Sequence, residues 1–115
     1  MLKIYNLLGL MQRAGKLITG EDLITKNLKN KKIKLLVIVQ DCGINTKKKL
    51  IDKATFYGVN HIEFSDIENV SRAIGRDNRV ALGMTDDGFI KKFKQLLEEG
   101  EKWYKIAYEK GNEDV

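Results

Sequence analysis

The chain has 115 residues, 43% hydrophobic and 32% charged, with 21 Lys and Arg against 16 Asp and Glu. That length supports one hydrophobic core and its apolar content excludes a disordered chain, while one cysteine and one histidine exclude a disulfide scaffold and a self-sufficient structural zinc site. The cysteine usage points to a reducing compartment, the cytoplasm; no apolar run approaches the roughly 20 residues of a membrane span, and no signal-peptide pattern opens the chain.

Ile4, Leu7, Leu8, Leu10 and Met11 fall on one helical stripe, with Gly15 placed to end the helix. Lys16 to Thr19 reads as a short extended piece. Gly20, Glu21 and Asp22 open a second helix whose buried side is Leu23, Ile24 and Leu28. Leu35 to Val39 is a continuous apolar run, as expected of a strand covered on both faces. After the turn Gln40-Asp41-Cys42-Gly43, Asn45 or Thr46 is placed to cap a third helix that carries Leu50, Ile51, Ala54 and Tyr57 inward and stops at Gly58. Asn60 to Phe64 alternates like a strand. Ser65 or Asp66 opens a fourth helix through Ile67, Val70 and Ile74, closed by Gly75, and Arg76-Asp77-Asn78-Arg79 is a polar loop. Val80, Leu82 and Met84 form a last strand, and Asp86-Asp87-Gly88 leads into a long C-terminal helix.

Helices alternating with strands predict an α/β fold, a three-layer α/β/α sandwich around a mixed sheet of about four strands. The expected organisation is a domain over residues 1–93 and a C-terminal helical extension over 94–115. Gly100 is placed to interrupt the last helix.

Little here points to catalysis. His61, the one histidine, sits in a strand and alternates outward from Ile62 and Phe64, so it reads as a partly exposed strand residue rather than a catalytic base. Cys42 reads as a small buried hydrophobe rather than a reactive thiol. Neither common glycine-rich phosphate cradle occurs. Asp86 and Asp87 fit a helix start better than a metal site, so no metal and no cofactor is expected.

Charge placement is more informative. Residues 1–64 hold 12 basic and 5 acidic side chains, whereas residues 65–115 hold 9 and 11, so one half presents a cationic surface suited to a polyanion. Three segments carry the candidate contacts. Gly20 at a helix start lets the backbone approach an anion, with Lys16 and Lys26 to either side. Asn45-Thr46-Lys47-Lys48-Lys49 sets lysines at a helix N-terminus, against the helix dipole, a placement that suits an external phosphate. Ala73-Ile74-Gly75-Arg76 with Arg79 could pack Ile74 under an unstacked base while an arginine holds phosphate.

The stretches NLLGLMQRAGKLITGEDLITK, LVIVQDCGINTKKKL and AIGRDNRVALGMTDDGF, in this order and spacing, resemble the ribosomal L-seven-Ae family, in a bacterial branch similar to ribosomal proteins. The resemblance runs from about Ile4 to Phe93 and implies an α/β/α sandwich that binds kink-turn RNA, a bent duplex built on tandem sheared G·A pairs. The family's recognition helix has the pattern G-x-N-E-x-x-K. Gly20 and Lys26 match it, Asp22 stands where the amide would be, and Leu23 stands where the acid would be. Ile74, Gly75 and Arg76 match the loop that supports a flipped-out nucleotide, and the lysines after Asp41 match a region near the RNA backbone. The implied site is thus Lys16, Gly20, Asp22, Leu23, Lys26, Asn45, Lys47, Lys48, Ile74, Gly75 and Arg76, and the implied partner is structured RNA such as ribosomal RNA.

Two other classes stay open. A module of the same fold could dock on proteins, and Trp103, Tyr104 and Tyr108 offer large apolar groups for a partner or a weak homodimer through the C-terminal helix. A similar fold also serves as the substrate-binding appendage of some RNA methyltransferases, but this chain has no room for a catalytic domain.

Overall fold

The computed structural model describes residues 2–100; the predicted extension beyond Gly100, with Trp103, Tyr104 and Tyr108, lies outside the described residues. Helix α1 (Leu2–Arg13) buries Ile4, Leu7, Leu8 and Met11. Leu10 was expected on the same stripe but is 47% exposed, because a rotation of about 100° per residue turns it away from the stripe's centre. The helix ends through Gly15, at φ 72°, and the chain enters strand β1 (Leu17–Thr19).

Gly20 turns the chain into α2 (Glu21–Lys29), which buries Ile24 and Leu28. Leu23 departs from expectation: it is 55% exposed, turned about 100° round the helix from the buried Ile24. Every residue of β2 (Leu35–Ile38) is buried, as a strand covered on both faces requires. Helix α3 (Ile44–Phe56) starts one or two residues before the predicted caps. Gly43 is its N-cap, so Asn45 and Thr46 sit inside the first turn and cap nothing. Leu50 and Ala54 face the core from this helix.

Strand β3 (Asn60–Glu63) and helix α4 (Ile67–Ile74) follow. The Asp66 carboxylate accepts the Asn69 N–H at 2.8 Å, capping α4, and Gly75 ends it in the left-handed conformation at φ 68°. Strand β4 (Ala81–Met84) is buried throughout. Asp86 accepts the Phe89 N–H at 2.9 Å and opens α5 (Asp87–Gly100), whose Ile90, Phe93 and Leu97 are buried.

The sheet runs β1-β4-β2-β3. Only β2 and β3 are parallel, joined by the α3 crossover, while β4 runs antiparallel to both β1 and β2. Helices α1, α4 and α5 pack together over one face, and α2 packs beside α3 over the other. Under the first layer, the Phe64 ring meets Tyr5 and Phe93 at centroid distances of 5.9 and 5.4 Å. The sheet is thus closed on both sides, the condition that lets β2 and β4 be apolar without alternation. No helix among the described residues is long and apolar enough to cross a membrane.

Candidate nucleic-acid interface

Strand register fixes which loops share an end of the sheet. Thr19 pairs with Leu82, Ile38 with Ala81, and Ile38 with Glu63. The starts of α2, α3 and α4 and the loop entering β4 therefore emerge along one rim. Gly20, Thr46 and the Asn78–Arg79 end of the loop are brought together there, although they are far apart in sequence.

At this rim a cleft of about 260 Å³ opens between Gly20 and Glu21 of α2, Thr46 of α3, and Asn78 and Arg79 of the loop, over a floor that includes Ile24 and Leu50. Gly20 lies at φ 92°, ψ 130°, and offers no side chain to cap α2. The first intrahelical donor is Ile24, whose N–H reaches the Gly20 carbonyl at 2.9 Å. The backbone N–H groups ahead of it are thus available to an acceptor, with the positive end of the helix dipole behind them.

Arg79 forms the opposite wall. One guanidinium nitrogen lies 3.7 Å from the position a Gly20 Cβ would take. The Arg79 N–H donates to the Ser71 Oγ at 2.8 Å, which ties the loop to the buried side of α4. Its Nε is buried and has no hydrogen-bond partner. In the sequence Arg79 stands only as one of two arginines in a polar loop; its place beside Gly20 depends on β4 lying next to β1, a long-range pairing that no local pattern displays.

The other expected residues divide by position. Asp22, Leu23 and Lys26 are exposed on α2, with Lys26 about 9 Å along the axis from Gly20. Asn45 and Lys48 are exposed on α3. Lys47 is engaged: its Nζ donates to the Glu63 carboxylate at 2.8 Å and to the Gln40 carbonyl at 3.1 Å, stitching α3 to the ends of β2 and β3. Gly75 and Arg76 are exposed and line a second, shallower groove of about 480 Å³ beside α4, which meets the first at Asn78. Ile74 is turned inward and only 6% exposed. Lys16 sits at the other end of β1 from Gly20, where its carbonyl accepts the Thr85 N–H at 3.2 Å.

Electrostatics do not single out a reacting group. Burial pushes the Cys42 thiol above the usual thiol range, against a weaker downward pull from the Lys47 ammonium. Among the described residues no group of three or more His, Cys, Asp and Glu could hold a metal ion. What the rim offers chemically is backbone donors, one partly buried guanidinium, an amide and a hydroxyl around a small apolar floor.

The comparisons with known proteins agree with this architecture. A Giardia lamblia 15.5kD RNA binding protein has the same fold at a TM-score of 0.66 and 15% identity, covering 83% of this chain and 82% of its own. A protein with unknown function from Bacillus halodurans C matches at a TM-score of 0.77 and 39% identity, over 84% of this chain and 98% of its own. Proteins named RNA-binding protein YlxQ are similar in sequence: that of Enterococcus faecium is 43% identical over 96 residues, 84% of this chain and 92% of its own, and that of Bacillus subtilis is 38% identical over 94 residues, 82% and 94%. The model of the ribosomal protein L7Ae/L30e/S12e/Gadd45 family matches residues 2–94, the whole sheet and all five helices up to the last turns of α5. With fold and sequence in accord over that span, the chain belongs to the ribosomal protein L7Ae/L30e/S12e/Gadd45 family.

Proposed function

We propose that this protein is a non-catalytic, ribosomal-protein-like RNA-binding protein that recognises a kink-turn, a bent duplex with tandem sheared G·A pairs, in a structured RNA such as ribosomal RNA. Its family and its similarity to proteins named RNA-binding support the RNA partner. The observation that carries the site is the cleft where the uncapped start of α2 faces Arg79.

In this reading the Gly20 turn lets the bent backbone and the edges of the G·A pairs approach α2. The Asp22 carboxylate accepts from guanine N–H groups, and the Leu23 side chain packs on the sugar edge. Arg79 donates its fork into the cleft, and Asn45 and Lys26 reach the flanking strand. The Ile74-Gly75-Arg76 corner holds an extruded nucleotide, with Ile74 supporting the loop from below and Arg76 on phosphate. Lys16 and Lys48 contribute long-range attraction, and Lys47 shapes the rim by holding β2 and β3 to α3. The function is exercised in the cytoplasm, where such RNA resides.

The test is a titration of a kink-turn RNA against a control whose sheared pairs are replaced by Watson–Crick pairs, repeated over a salt series. A preference of about tenfold or more for the kink-turn is expected, with affinity falling as salt rises. Equal binding to both RNAs, or none to either, refutes kink-turn recognition.

A further inference from the structure

Among the described residues, Phe56 is the most exposed large apolar group outside the rim. It is 80% exposed at the last turn of α3, edge-on to Tyr57 at a centroid distance of 4.9 Å. A bare aromatic ring at a helix end contributes nothing to the core, so its surroundings decide what it suits.

Helices α2 and α3 both start at the rim, both end at the far end of the sheet, and pack side by side. Glu21 of α2 meets Lys49 of α3 at 3.2 Å, which identifies the flank of α3 that borders α2. Lys53 follows Lys49 by four residues and Phe56 by seven, so both return to that flank, and Asn45 precedes Lys49 by one turn. On α2 the exposed series Asp22, Lys26 and Lys29 runs about a quarter turn or more round from Glu21, on the solvent side of that contact. Along these two flanks Lys26, Lys29, Lys49 and Lys53 stand against Glu21 and Asp22, and Glu21 is already held by Lys49. A shallow cationic track thus leaves the cleft at Gly20, runs between the two helices for about 15 Å, and ends at Phe56.

We propose that this track is a second RNA-contacting surface, which carries a single strand leaving the structured element and stacks one of its bases on Phe56. Lysines flanking a track with one aromatic platform at its end match single-strand recognition, where cations follow the backbone and the ring accepts any base. A protein partner seated on Phe56 would have to neutralise the same lysines, whereas a phosphate backbone does so along its length. The proposal rests on the RNA-binding reading, and the residue that reports on it, Phe56, lies outside the rim.

Three RNAs separate the two: a blunt kink-turn, the same kink-turn with a short single-stranded extension on either end, and a plain duplex with that extension. The extension is expected to tighten binding by about fivefold or more, on the kink-turn and the plain duplex alike. F56A should remove that gain while leaving blunt kink-turn affinity and the thermal midpoint unchanged. A fluorescent base analogue in the extension should change its emission on binding to the wild type and not to F56A. An extension that adds nothing, or a gain that survives F56A, overturns the track whatever the blunt kink-turn does. A blunt kink-turn bound no better than its Watson–Crick control overturns the rim reading alone, because the duplex with its extension still reports on Phe56.

Discussion

A guanidinium nitrogen of Arg79 lies 3.7 Å from the point where a side chain on Gly20 would begin. The turn after β1 and the loop before β4 are thereby two sides of one mouth. The contact is possible because β4 lies directly beside β1, with Thr19 opposite Leu82. A wall of the candidate site is thus built from residues nearly sixty positions apart.

Arg79 is the first residue to test. Its Nε is buried without a partner, a costly arrangement for the free protein that a ligand acceptor would relieve. We expect R79A to lower kink-turn affinity by about tenfold or more, to reduce the salt dependence by roughly one ion, and to leave folding stability within about 0.5 kcal/mol of wild type. R79K should recover the salt dependence without the affinity, since lysine lacks the planar fork. Filter binding across salt and urea denaturation read the two effects separately, and an R79A variant that binds as wild type would remove Arg79 from the site.

Gly20 can be tested through its backbone. At 3.7 Å the nearest atom leaves room for a methyl group, so crowding is not the obstacle. The obstacle is φ 92°, ψ 130°, where an L side chain is strained by about 1–3 kcal/mol. G20A is expected to lose stability by that order in chemical denaturation and, because relaxation moves the start of α2, to weaken kink-turn binding more than R79A. A G20A protein of unchanged stability would show that the turn relaxes freely and does not set the rim.

How much of this was legible beforehand depended on the range of the interaction. The stripe Ile4, Leu7, Leu8 and Met11, the all-apolar run of β2 and the Asp66 and Gly75 boundaries of α4 are local patterns, and each lies where the sequence places it. The misplacements are local too. Leu10 and Leu23 are apolar but fall about a quarter turn or more off their buried stripes, and hydrophobicity alone does not show that. Asn45 and Thr46 are good capping residues, yet Gly43 takes the position because α3 begins earlier. Lys47 stands in a run of three lysines, and only the proximity of β3 to β2 reveals that Glu63 holds it. The pairing of Arg79 with Gly20 needed the sheet order, which no local pattern encodes.

Lys47 and Lys48 are adjacent and identical in sequence, and the structure separates them. Lys47 spans Glu63 and the Gln40 carbonyl, whereas Lys48 is exposed. K47A should therefore destabilise the protein, by no more than about 1 kcal/mol because both partners are partly solvated. K48A should leave the melting curve in place and lower the salt dependence of RNA binding by about one ion. The reverse assignment, stability lost at Lys48 and binding lost at Lys47, would mean that the Glu63 pair does not form in solution.

Cys42 provides a pH-dependent readout. Burial disfavours the thiolate and raises its pKa above the usual thiol range, and the Lys47 ammonium offsets only part of this. A raised folded pKa contributes stability that is fully present below the unfolded thiol value and is lost as pH rises through the folded one. Stability should accordingly decline in the alkaline range, and C42A should flatten that decline. At pH 8 the native thiol should react with a disulfide reagent far more slowly than the unfolded chain; equal rates would show that the turn after β2 opens readily.

Gly9 joins the fold to the rim. It faces α4 where α1 crosses it, and an added Cβ would lie 2.9 Å from the Ala73 carbonyl oxygen. That oxygen is backbone and cannot swing aside, so G9A must push α4 away from α1 at a cost of about 1–3 kcal/mol. Helix α4 carries Ser71, which holds the Arg79 N–H, and ends in Gly75 and Arg76. A shift at Gly9 should therefore reach the cleft: G9A is expected to lower the thermal midpoint and also to weaken kink-turn binding, under conditions where the protein is still fully folded. G83A is the matched control. Its Cβ would meet the buried Ile33 at 2.5 Å and should destabilise comparably, but Ile33 lies beyond the opposite end of β2 from the rim. If both variants lose stability and only G9A loses affinity, the α1–α4 crossing positions the Arg79 loop. Equal affinity losses in the two would mean that binding simply follows global stability.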